Sequence, residues 1–395
     1  MSKTSPQPDF DFVIVGAGPA GSTTARLLAE AGSRVLIVDK RQELGAPIQC
    51  SGAVSRHALL EVHIEPTDEF IQEAIYGFEI YDQAGESTAI DYRQLKGDEY
   101  GSEVGKVPLG YVVDRRRFDR CLMTKAIQAG AEAWLKTEGK GYTCDDDGLA
   151  TVQLERYGEP ISVRCRCVIG ADGLMSQVGK WAGLRTHIRL GELAACLQYV
   201  CEGVESKGLL EIVTGHEWAP GGYAWVFPKG HGYTEIGLGV TPNNTSLSAK
   251  QHLQHFMENS FFKERFAKAK ILEVQGGGVP LAAPLTTQFA DRMILIGDAA
   301  RHVNPITGGG IHTALSGGKI AAQVLAKAQK QNKIFTPEVT ESYQDAWLES
   351  LGDKMWKLYR EKSSIFREDE IPVRDKRLYH TMSSYFSPDS EYKKI

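Results

Sequence analysis

The chain has 395 residues, 42% of them hydrophobic and 24% charged, which is enough for about two or three soluble domains with a sizeable core. A net charge of −5 gives no argument for nucleic-acid binding, which needs a basic face, so we expect no nucleic-acid partner. The chain also lacks a run of about 18 apolar residues, which argues against a membrane span.

The cysteines and the N-terminus indicate the cellular compartment. Seven scattered cysteines, an odd number, favour a reducing cytoplasm over a disulfide framework. Four of them lack histidines at zinc-binding spacing, so we expect no metal site and interpret them as buried strand thiols: Cys165, Cys167, Cys196 and Cys201. The polar start MSKTSPQPDF lacks the apolar core of a signal peptide. We therefore expect a cytoplasmic protein, or one that contacts a membrane from one side only.

The first predicted unit is DFDFVIVGAGPAGSTTARLLAEAGSRVLIVDKR, in the order strand, glycine loop, helix, strand. The apolar run Phe12–Val15 is typical of a buried parallel strand. Gly16, Gly18 and Gly21 follow as G-x-G-x-x-G, which serves a tight turn, close approach of a pyrophosphate and close helix–strand packing. The helix start then presents free N–H groups to the phosphates.

The second strand of this unit, Arg34–Val38, ends in Asp39, 18 residues after Gly21. That is near the spacing of about 20 at which an acid binds ribose hydroxyls. Such an acid disfavours the 2′-phosphate of NADP, which leaves FAD and NAD as candidates. Loop glycines are usually simple turns, but here the strands, loop, helix and acid all agree.

A second glycine-rich segment, DRMILIGDAARHVNPITGGGIHTALSGGKIAAQVLAKA, favours FAD. A strand over Met293–Ile296 leads to Asp298, which can bind a ribityl or ribose hydroxyl, and Pro305 stiffens the following loop. Consecutive glycines let the backbone lie against a flat ring: Gly308, Gly309 and Gly310. A helix from about Gly310 directs its positive end at that ring, where reduced flavin is negative. NAD needs no such distant second site, and an ordinary glycine cap would explain only one of the glycines.

Between these motifs, CVIGADGLMSQVGKWAGL predicts a strand, then Asp172-Gly173, then a helix. The motif order resembles the FAD-binding proteins of the glutathione-reductase-type family two, which share the fold of p-hydroxybenzoate hydroxylase. The resemblance implies an α/β (α+β) fold with a mixed-sheet substrate domain and C-terminal helices. It also implies that Asp172 and Arg115, the latter in GYVVDRRRFDR, contact the flavin cofactor.

Further segments resemble the geranylgeranyl reductases, above all the archaeal digeranylgeranylglycerophospholipid reductases: Pro47–Gly52, APGGYAWVFPKGHGYTEIGLGV and NPITGGGIHTAL. In that family a Y-x-W-x-F-P-K-G strand followed by G-x-G walls a prenyl cavity. The matching positions are Tyr223, Trp225, Phe227, Pro228, Lys229, Gly230, Gly237 and Gly239. The resemblance implies that the three aromatic residues and Lys229 contact substrate. It also adds Lys40, Ser51 and Ile311 to the cofactor contacts.

The residues themselves leave alternatives at this strand. Tyr223, Trp225 and Phe227 alternate, so all three side chains share one face. Alternation usually marks sheet core, although beside a flavin the same stripe suits a long apolar substrate. Lys229 and His231 follow the strand, where they either meet a phosphate head group or belong to a solvated turn.

The activity that the resemblance implies is reduction of isoprenoid C=C bonds, as in geranylgeranyl groups, by hydride transfer from N5 of reduced flavin. Cys50 resembles the family's flavin-facing cysteine, and its thiol either donates a proton or packs as a small hydrophobe. Two departures stand out. The archaeal enzymes commonly read R-C-G-E-G where this chain has QCSGAVS, and Asn304 precedes Pro305 where the family often has aspartate.

The electron donor and two other functions stay open. No second G-x-G-x-x-G unit follows, so electrons are expected from transiently bound NAD(P)H or from a protein such as reduced ferredoxin. An aromatic-ring hydroxylase or halogenase would have the same fold, but halogenases usually carry W-x-W-x-I-P, whereas YAWVFPKG matches the reductase form. A flavin-binding sensor without enzymatic activity is the third possibility.

The FAD-binding domain is predicted to be discontinuous, over residues 10–80, 110–180 and 275–330. Residues 81–109 and 181–274 form the predicted substrate domain, and 331–395 a C-terminal helical region. In this region apolar and basic residues recur at helical spacing: Trp347, Leu351, Met355, Leu358 and Tyr359, with Lys354, Lys357, Arg360 and Lys362 among them. Such a helix can rest on anionic lipid as a peripheral membrane contact, but apolar stripes more often face a core.

Overall fold

The computed structural model of the chain describes residues 7–97 and 103–390. Residues 1–6 of the predicted polar tail, 98–102 of the predicted substrate domain and 391–395 of the C-terminal region lie outside the described residues. Within the described ranges the strands form three sheets, on which the helices pack, and the predicted α/β class is confirmed.

The strands, in chain order, are β1 (Phe10–Val15), β2 (Val35–Asp39), β3 (Ala53–Ser55), β4 (Ile71–Ile75), β5 (Gly77–Tyr81), β6 (Ser87–Asp91), β7 (Gly110–Val113), β8 (Glu132–Leu135), β9 (Thr137–Cys144), β10 (Ala150–Arg156), β11 (Glu159–Gly170), β12 (Leu193–Glu202), β13 (Leu210–Val213), β14 (Tyr223–Pro228), β15 (Thr234–Val240), β16 (Lys270–Pro280), β17 (Phe289–Ala290) and β18 (Met293–Leu295). The helices are α1 (Pro19–Glu30), α2 (Arg56–Glu61), α3 (Arg115–Gln128), α4 (Gln177–Trp181), α5 (Ala249–Asn259), α6 (Lys263–Phe266), α7 (Ile311–Lys330), α8 (Pro337–Trp347), α9 (Asp353–Phe366) and α10 (Ile371–Phe386).

The largest sheet in the described residues has parallel strands in the order β18, β11, β1, β2, β8. Strands β1 and β2 are buried almost throughout, as expected where both faces of a parallel sheet are covered. Val15 pairs with Gly170, and Gly170 pairs with Leu295. The carboxyl ends of β1, β11 and β18 therefore lie side by side, and the segments that follow them meet at one sheet edge.

Two helices cover this sheet edge and start at it. Helix α1 begins with Pro19 directly after the first glycine loop, and α7 begins at Ile311 directly after the second. The two helices pack closely at Gly318, where a side chain would not fit. A Cβ on Gly318 would lie only 2.8 Å from the carbonyl oxygen of Ala20. Thr24 Oγ1 also donates to the carbonyl of Gly318. Both helix N-termini thus point at the same space above the strands.

A second, mixed sheet has the strand order β16, β12, β15, β14, β13, β5, β6. Two of its strands cross predicted boundaries between the FAD-binding domain and the substrate domain. Strand β5 crosses the boundary at 80/81, and strand β16 crosses the boundary at 274/275. These two boundaries need correction, since β16 pairs with β12 over its whole length. The wider domain division stays a prediction. A small third sheet has the strand order β3, β7, β4.

The C-terminal region is helical, as predicted, and a π-helical turn at Leu348–Gly352 separates α8 from α9. Its apolar stripe faces the core: Trp347 and Met355 are fully buried, and Trp347 stacks on the ring of His302 at 4.0 Å. The prediction that the stripe docks on the protein is therefore confirmed, and the stripe gives no support to a lipid-resting helix. In the described ranges no helix is both long and apolar enough to cross a bilayer.

Candidate active site

Two neighbouring cavities lie over the shared sheet edge, and Pro19, Asp298 and Ala314 line both of them. We call the first the glycine-loop cavity; its lining includes Gly16, Gly18, Asp39, Lys40, Asp172, Trp181 and Asp298. We call the second the aromatic cavity; its lining includes Cys50, Ser51, Arg115, Cys196, Tyr223, Trp225, Phe227, Leu281, Asp298, Gly308, Gly310, Lys362 and Phe366. A single elongated ligand can therefore pass from one cavity into the other at Asp298.

The three glycines of the first loop have different roles. Gly16 has φ +107°, and a Cβ there would lie 2.2 Å from the carbonyl oxygen of Ala171. A Cβ on Gly21 would lie 2.0 Å from the carbonyl oxygen of Gly16. Gly18 differs, because its backbone is ordinary extended chain and its Cβ would meet no atom within 4 Å. The fold itself does not need glycine at position 18, which fits a ligand that must approach the backbone closely.

Asp39 holds the first loop and keeps acceptor capacity for a ligand. Its carboxylate accepts the N–H of Ala17 at 2.9 Å and that of Arg41 at 2.8 Å. A carboxylate has about four lone-pair sites, so each oxygen can still accept from a ribose hydroxyl. Helix α1 begins here without a side-chain cap, which leaves its first N–H groups available to phosphates.

Asp172 has a double role that the sequence did not predict. Its Oδ2 caps helix α4 by accepting the N–H groups of Gln177 at 2.6 Å and Val178 at 3.1 Å. Its Oδ1 is buried and has no hydrogen-bond partner among the described residues. An orphaned buried oxygen at a cavity wall is costly unless a ligand hydroxyl or N–H completes it.

Asp298 lies where the two cavities meet. Burial raises the pKa of its carboxyl to about 6, and the nearby Arg115 guanidinium opposes this rise. A Cβ on Gly310 would lie 3.3 Å from Asp298 Oδ1, so glycine keeps the loop close to this carboxyl. Helix α7 starts directly after Gly310 and, like α1, has no side-chain cap.

The loop between Asp298 and α7 is shaped by Asn304. The side-chain oxygen of Asn304 accepts the N–H groups of Ile306 and Thr307, and its amide nitrogen donates to the Tyr385 hydroxyl at 2.9 Å. An aspartate could keep the first two bonds but could not donate to Tyr385. The departure at position 304 is therefore matched by a partner on α10.

Arg115 begins helix α3 and forms a two-pronged ion pair with Asp119, with both N···O distances 3.0 Å. This carboxylate raises the pKa of the guanidinium, although burial opposes the rise. The Cys50 thiol lies against the same guanidinium, and its sulfur accepts the N–H of Gly52 at 3.4 Å. Cys50 is thus held beside the paired Arg115 guanidinium at the cavity wall.

The predicted aromatic stripe is a wall of the second cavity. The ring centroids of Tyr223 and Trp225 are 5.8 Å apart, and those of Trp225 and Phe227 are 6.3 Å apart. Gly237 makes room for this wall, since a Cβ there would lie 2.5 Å from the Trp225 indole. The Tyr223 hydroxyl donates to the carbonyl of Thr307, which ties the mixed sheet to the second glycine loop. The prediction that the three side chains share one face is confirmed.

Two residues of β12 at this cavity were missed from the sequence. Cys196 was interpreted as a buried strand thiol, but it lines the cavity, and burial raises its pKa to about 12. Gln198 is almost fully buried and donates to Gln275 on the neighbouring strand β16 at 2.6 Å. Only the pairing of β12 with β15 and β16 places these residues, and neither belongs to a motif.

Comparison with known proteins identifies the family. A family model described as FAD binding domain matches residues 9–196, and one described as geranylgeranyl reductase catalytic domain matches residues 192–279. The chain is 36% identical to the digeranylgeranylglycerophospholipid reductase of Methanosarcina acetivorans, over 87% of this chain and 81% of that protein. The chain belongs to the geranylgeranyl reductase family. A relative from Methanopyrus kandleri, digeranylgeranylglycerophospholipid reductase 2, is 38% identical over 91% of this chain and 87% of its own length.

Solved structures agree with this membership. A geranylgeranyl bacteriochlorophyll reductase-like protein of Thermoplasma acidophilum is similar with a TM-score of 0.85 and 28% identity, over 96% of this chain and 97% of that one. The p-nitrophenol 4-monooxygenase of Pseudomonas putida reaches a TM-score of 0.73 at 17% identity, over 95% and 94% of the two chains. The second likeness shows the fold alone, and it confirms the predicted fold class.

The site residues fit FAD, the cofactor that the family's binding domain implies. An open cradle at Gly18, the orphaned oxygen of Asp172 and two uncapped helix starts all face the joined cavities. Asp39 and Lys40 line the end expected for the adenosine, whereas Asp298, Pro305 and the second glycine loop line the end expected for the flavin. Ile311 and Ser51 line the aromatic cavity as well.

Three predicted site residues are not at a cavity surface. Gly21 lies beneath the first loop, and Gly309, whose carbonyl accepts the N–H of Asn304, is absent from the lining of both cavities. Lys229 is the main correction. Its ammonium is buried, donates to the Ser51 carbonyl at 2.9 Å and pairs with Glu235 at 3.2 Å, so its charge is already paired and it does not lie in a solvated turn. His231, in contrast, lies in an exposed turn.

We expect Asp298→Asn to stabilise the FAD-free protein and to weaken FAD binding. The pKa of Asp298, about 6, exceeds the value of about 3.9 for an unfolded aspartate, so this carboxyl destabilises the fold once pH rises above both values. Asparagine removes that penalty, and the variant should be about 2–3 kcal/mol more stable at pH 8 but no more stable near pH 4. Its FAD affinity should fall about tenfold, since a charge-assisted bond is lost. Urea unfolding at both pH values and FAD titration check this; an equal effect at both pH values would refute it.

Proposed function

We propose that this protein uses FAD to reduce C=C bonds in the geranylgeranyl groups of lipids. The observation that carries the proposal is the aromatic cavity, which joins the FAD site at Asp298 and is walled by Tyr223, Trp225 and Phe227. Its inner surface is mostly apolar, as a long isoprenoid chain requires. The names of the curated relatives, which are reductases of a digeranylgeranylglycerophospholipid, support the same substrate class.

When bound, reduced FAD supplies a hydride from N5 to one carbon of the alkene. The chain's own residues then have three tasks. The aromatic wall excludes water and holds the isoprenoid flat, which matters because an unactivated alkene reacts only when it is closely aligned. The Cys50 thiol, which lies beside the Arg115 guanidinium, donates a proton to the second alkene carbon. A solvent proton restores the thiol after each turnover.

We further propose that an external donor supplies the electrons, either transiently bound NAD(P)H or a protein such as reduced ferredoxin. In the described residues the first glycine loop is the one G-x-G-x-x-G unit that follows a strand and opens a helix. A resident second dinucleotide therefore has no comparable site in this part of the chain.

The substrate lipid is taken from the cytoplasmic side of the membrane, which fits the polar, free-cysteine composition.

An anaerobic assay tests the proposal against flavin-dependent hydroxylation, which the shared fold also permits. We expect photoreduced enzyme under strict exclusion of oxygen to be reoxidised by a geranylgeranyl lipid and to turn over when a reductant is supplied. Hydroxylation stops without oxygen, and a sensor would be reoxidised no faster with the lipid than without it. Either of these two results would reject alkene reduction.

Replacing Cys50 by serine tests the proposed proton donor. We expect the rate of alkene reduction to fall about 100-fold, within the range of general acid catalysis, because a hydroxyl is a far weaker acid than a thiol. Photoreduction of the bound flavin and the KM for the lipid should stay within about twofold of wild type, since serine fills nearly the same space. Single-turnover kinetics gives the rate directly. Cys201→Ser, at a buried cysteine away from the cavity, is the matched control, and an equal loss there would contradict a specific role.

A further inference from the structure

Lys362, on helix α9, is a buried lysine that lines the aromatic cavity. Lys362 is only 7% exposed, although its helical spacing with other basic residues predicts a position on the helix surface. The ammonium donates one hydrogen bond, to the carbonyl oxygen of Leu281 at 2.6 Å. An ammonium has three N–H donors, so this contact leaves two of them for another acceptor.

No carboxylate forms an ion pair with Lys362 in the part of the chain that the structure describes. The cavity's other cation, Arg115, is neutralised by Asp119, and the buried Lys229 by Glu235. Glu192, whose carboxylate accepts the Tyr359 hydroxyl at 2.6 Å, attracts Lys362 electrostatically but forms no ion pair with it. Burial accordingly lowers the pKa of Lys362 to about 8.

The surroundings of this ammonium are apolar. Its neighbours in the cavity lining on the C-terminal helices are Ile365, Phe366 and Leu378. Burying an ammonium among such side chains without a counter-ion costs several kcal/mol. A charge kept at that cost inside a ligand cavity is explained when the ligand itself carries the opposite charge.

We propose that Lys362 binds the phosphate group of a prenyl lipid phosphate while the prenyl chain lies along the aromatic wall. This assignment rests on the proposed function and adds to it the residue that recognises the phosphate of the lipid. It also replaces the predicted contact of Lys229 with a head group, because Lys229 is already paired and Lys362 is not. Lys362 thereby determines specificity for charged over neutral prenyl lipids.

Paired substrates test the proposal. Wild type, Lys362→Met and Lys362→Arg are compared on digeranylgeranylglyceryl phosphate and on digeranylgeranylglycerol, which lacks the phosphate. We expect Lys362→Met to raise KM for the phosphate lipid about 30-fold and to leave kcat within about twofold, since a hydrogen bond to a charged group is lost. Lys362→Arg should recover most of the affinity. Lys357→Met, at an exposed lysine of the same helix, should change neither substrate's KM.

The outcomes separate this proposal from the proposed function. A KM that rises equally for both lipids, or for neither, overturns phosphate recognition, and a loss of kcat on both would make Lys362 a proton donor instead. If wild type reduces neither lipid, the proposed function fails, and equilibrium binding of the two lipids still decides the role of Lys362. Binding is read from quenching of tryptophan fluorescence. FAD content and urea unfolding confirm that each variant is folded.

Discussion

Replacing Gly18 by valine is expected to abolish FAD binding without unfolding the protein. The Gly18 backbone is extended chain that any residue adopts, and its Cβ would enter empty space in the glycine-loop cavity. A valine side chain would occupy the place where the pyrophosphate must approach the loop. We expect FAD affinity to fall at least about 100-fold, roughly 3 kcal/mol, and activity to be lost with it. Equilibrium dialysis against FAD and the midpoint of urea unfolding without FAD measure the two effects.

Gly21→Val is the matched comparison within the same motif. A Cβ at Gly21 would lie 2.0 Å from the carbonyl oxygen of Gly16, so this variant should unfold at lower urea whether or not FAD is present. The pair separates a glycine that serves the ligand from one that serves the fold. If Gly18→Val binds FAD as wild type does, the cofactor does not lie against this loop as described.

The second large effect is expected at the buried ion pair of Lys229 with Glu235. Their side chains are 7% and 0% exposed, and Glu235 also accepts the indole N–H of Trp225 at 3.1 Å. Lys229→Met leaves the Glu235 carboxylate buried without its cation, which should lower the free energy of unfolding by about 3–5 kcal/mol. The loop carrying Cys50 should loosen as well, since Lys229 also holds the Ser51 carbonyl. Urea unfolding measures the first effect, and the rate of Cys50 alkylation measures the second.

A double variant distinguishes a lost charge partner from lost packing. Lys229→Met combined with Glu235→Gln removes both charges, so most of the lost stability should return. A double variant as unstable as the sum of the two single variants would show that the ion pair is not the cause.

The cofactor site could be predicted from the sequence because its parts are local. Gly16, Asp172 and Asp298 lie within three residues after the ends of β1, β11 and β18, and parallel strands in register bring these ends to one edge. The alternation of Tyr223, Trp225 and Phe227 likewise fixes a common face without knowledge of the partner strand. The glycine loops and the aromatic face needed only short-range geometry, whereas the contact of Asp172 came from the family resemblance.

The remaining features depend on contacts that sequence spacing does not reveal. Lys229 is buried because the hairpin of β14 and β15 sets Glu235 opposite Phe227, diagonal to the lysine. Cys196 reaches the cavity through the pairing of β12 with its neighbours, and Lys362 through the docking of α9 on the aromatic cavity. A basic residue at helical spacing predicts a solvated helix face. Lys362 is buried only because of tertiary packing, which the spacing does not reveal.

The fold does not by itself separate reduction from hydroxylation, because a monooxygenase shares it. The difference lies in the cavity beside the flavin end of the site. Here that cavity has an aromatic wall, a cysteine held beside Arg115 and a buried lysine without a counter-ion among the described residues. These features suit a long apolar substrate with a charged end and proton delivery within the site.

The central claim is tested most directly by the mass of the lipid after turnover. FAD-reconstituted protein is incubated anaerobically with digeranylgeranylglyceryl phosphate and dithionite, in H₂O and in D₂O. The account predicts a gain of about two mass units per reduced bond in H₂O and about four in D₂O, because both added hydrogens come from exchangeable positions on flavin N5 and a protein donor. An unchanged lipid mass with fully reduced flavin, or a gain of about 16 units that appears only when oxygen is admitted, would contradict it.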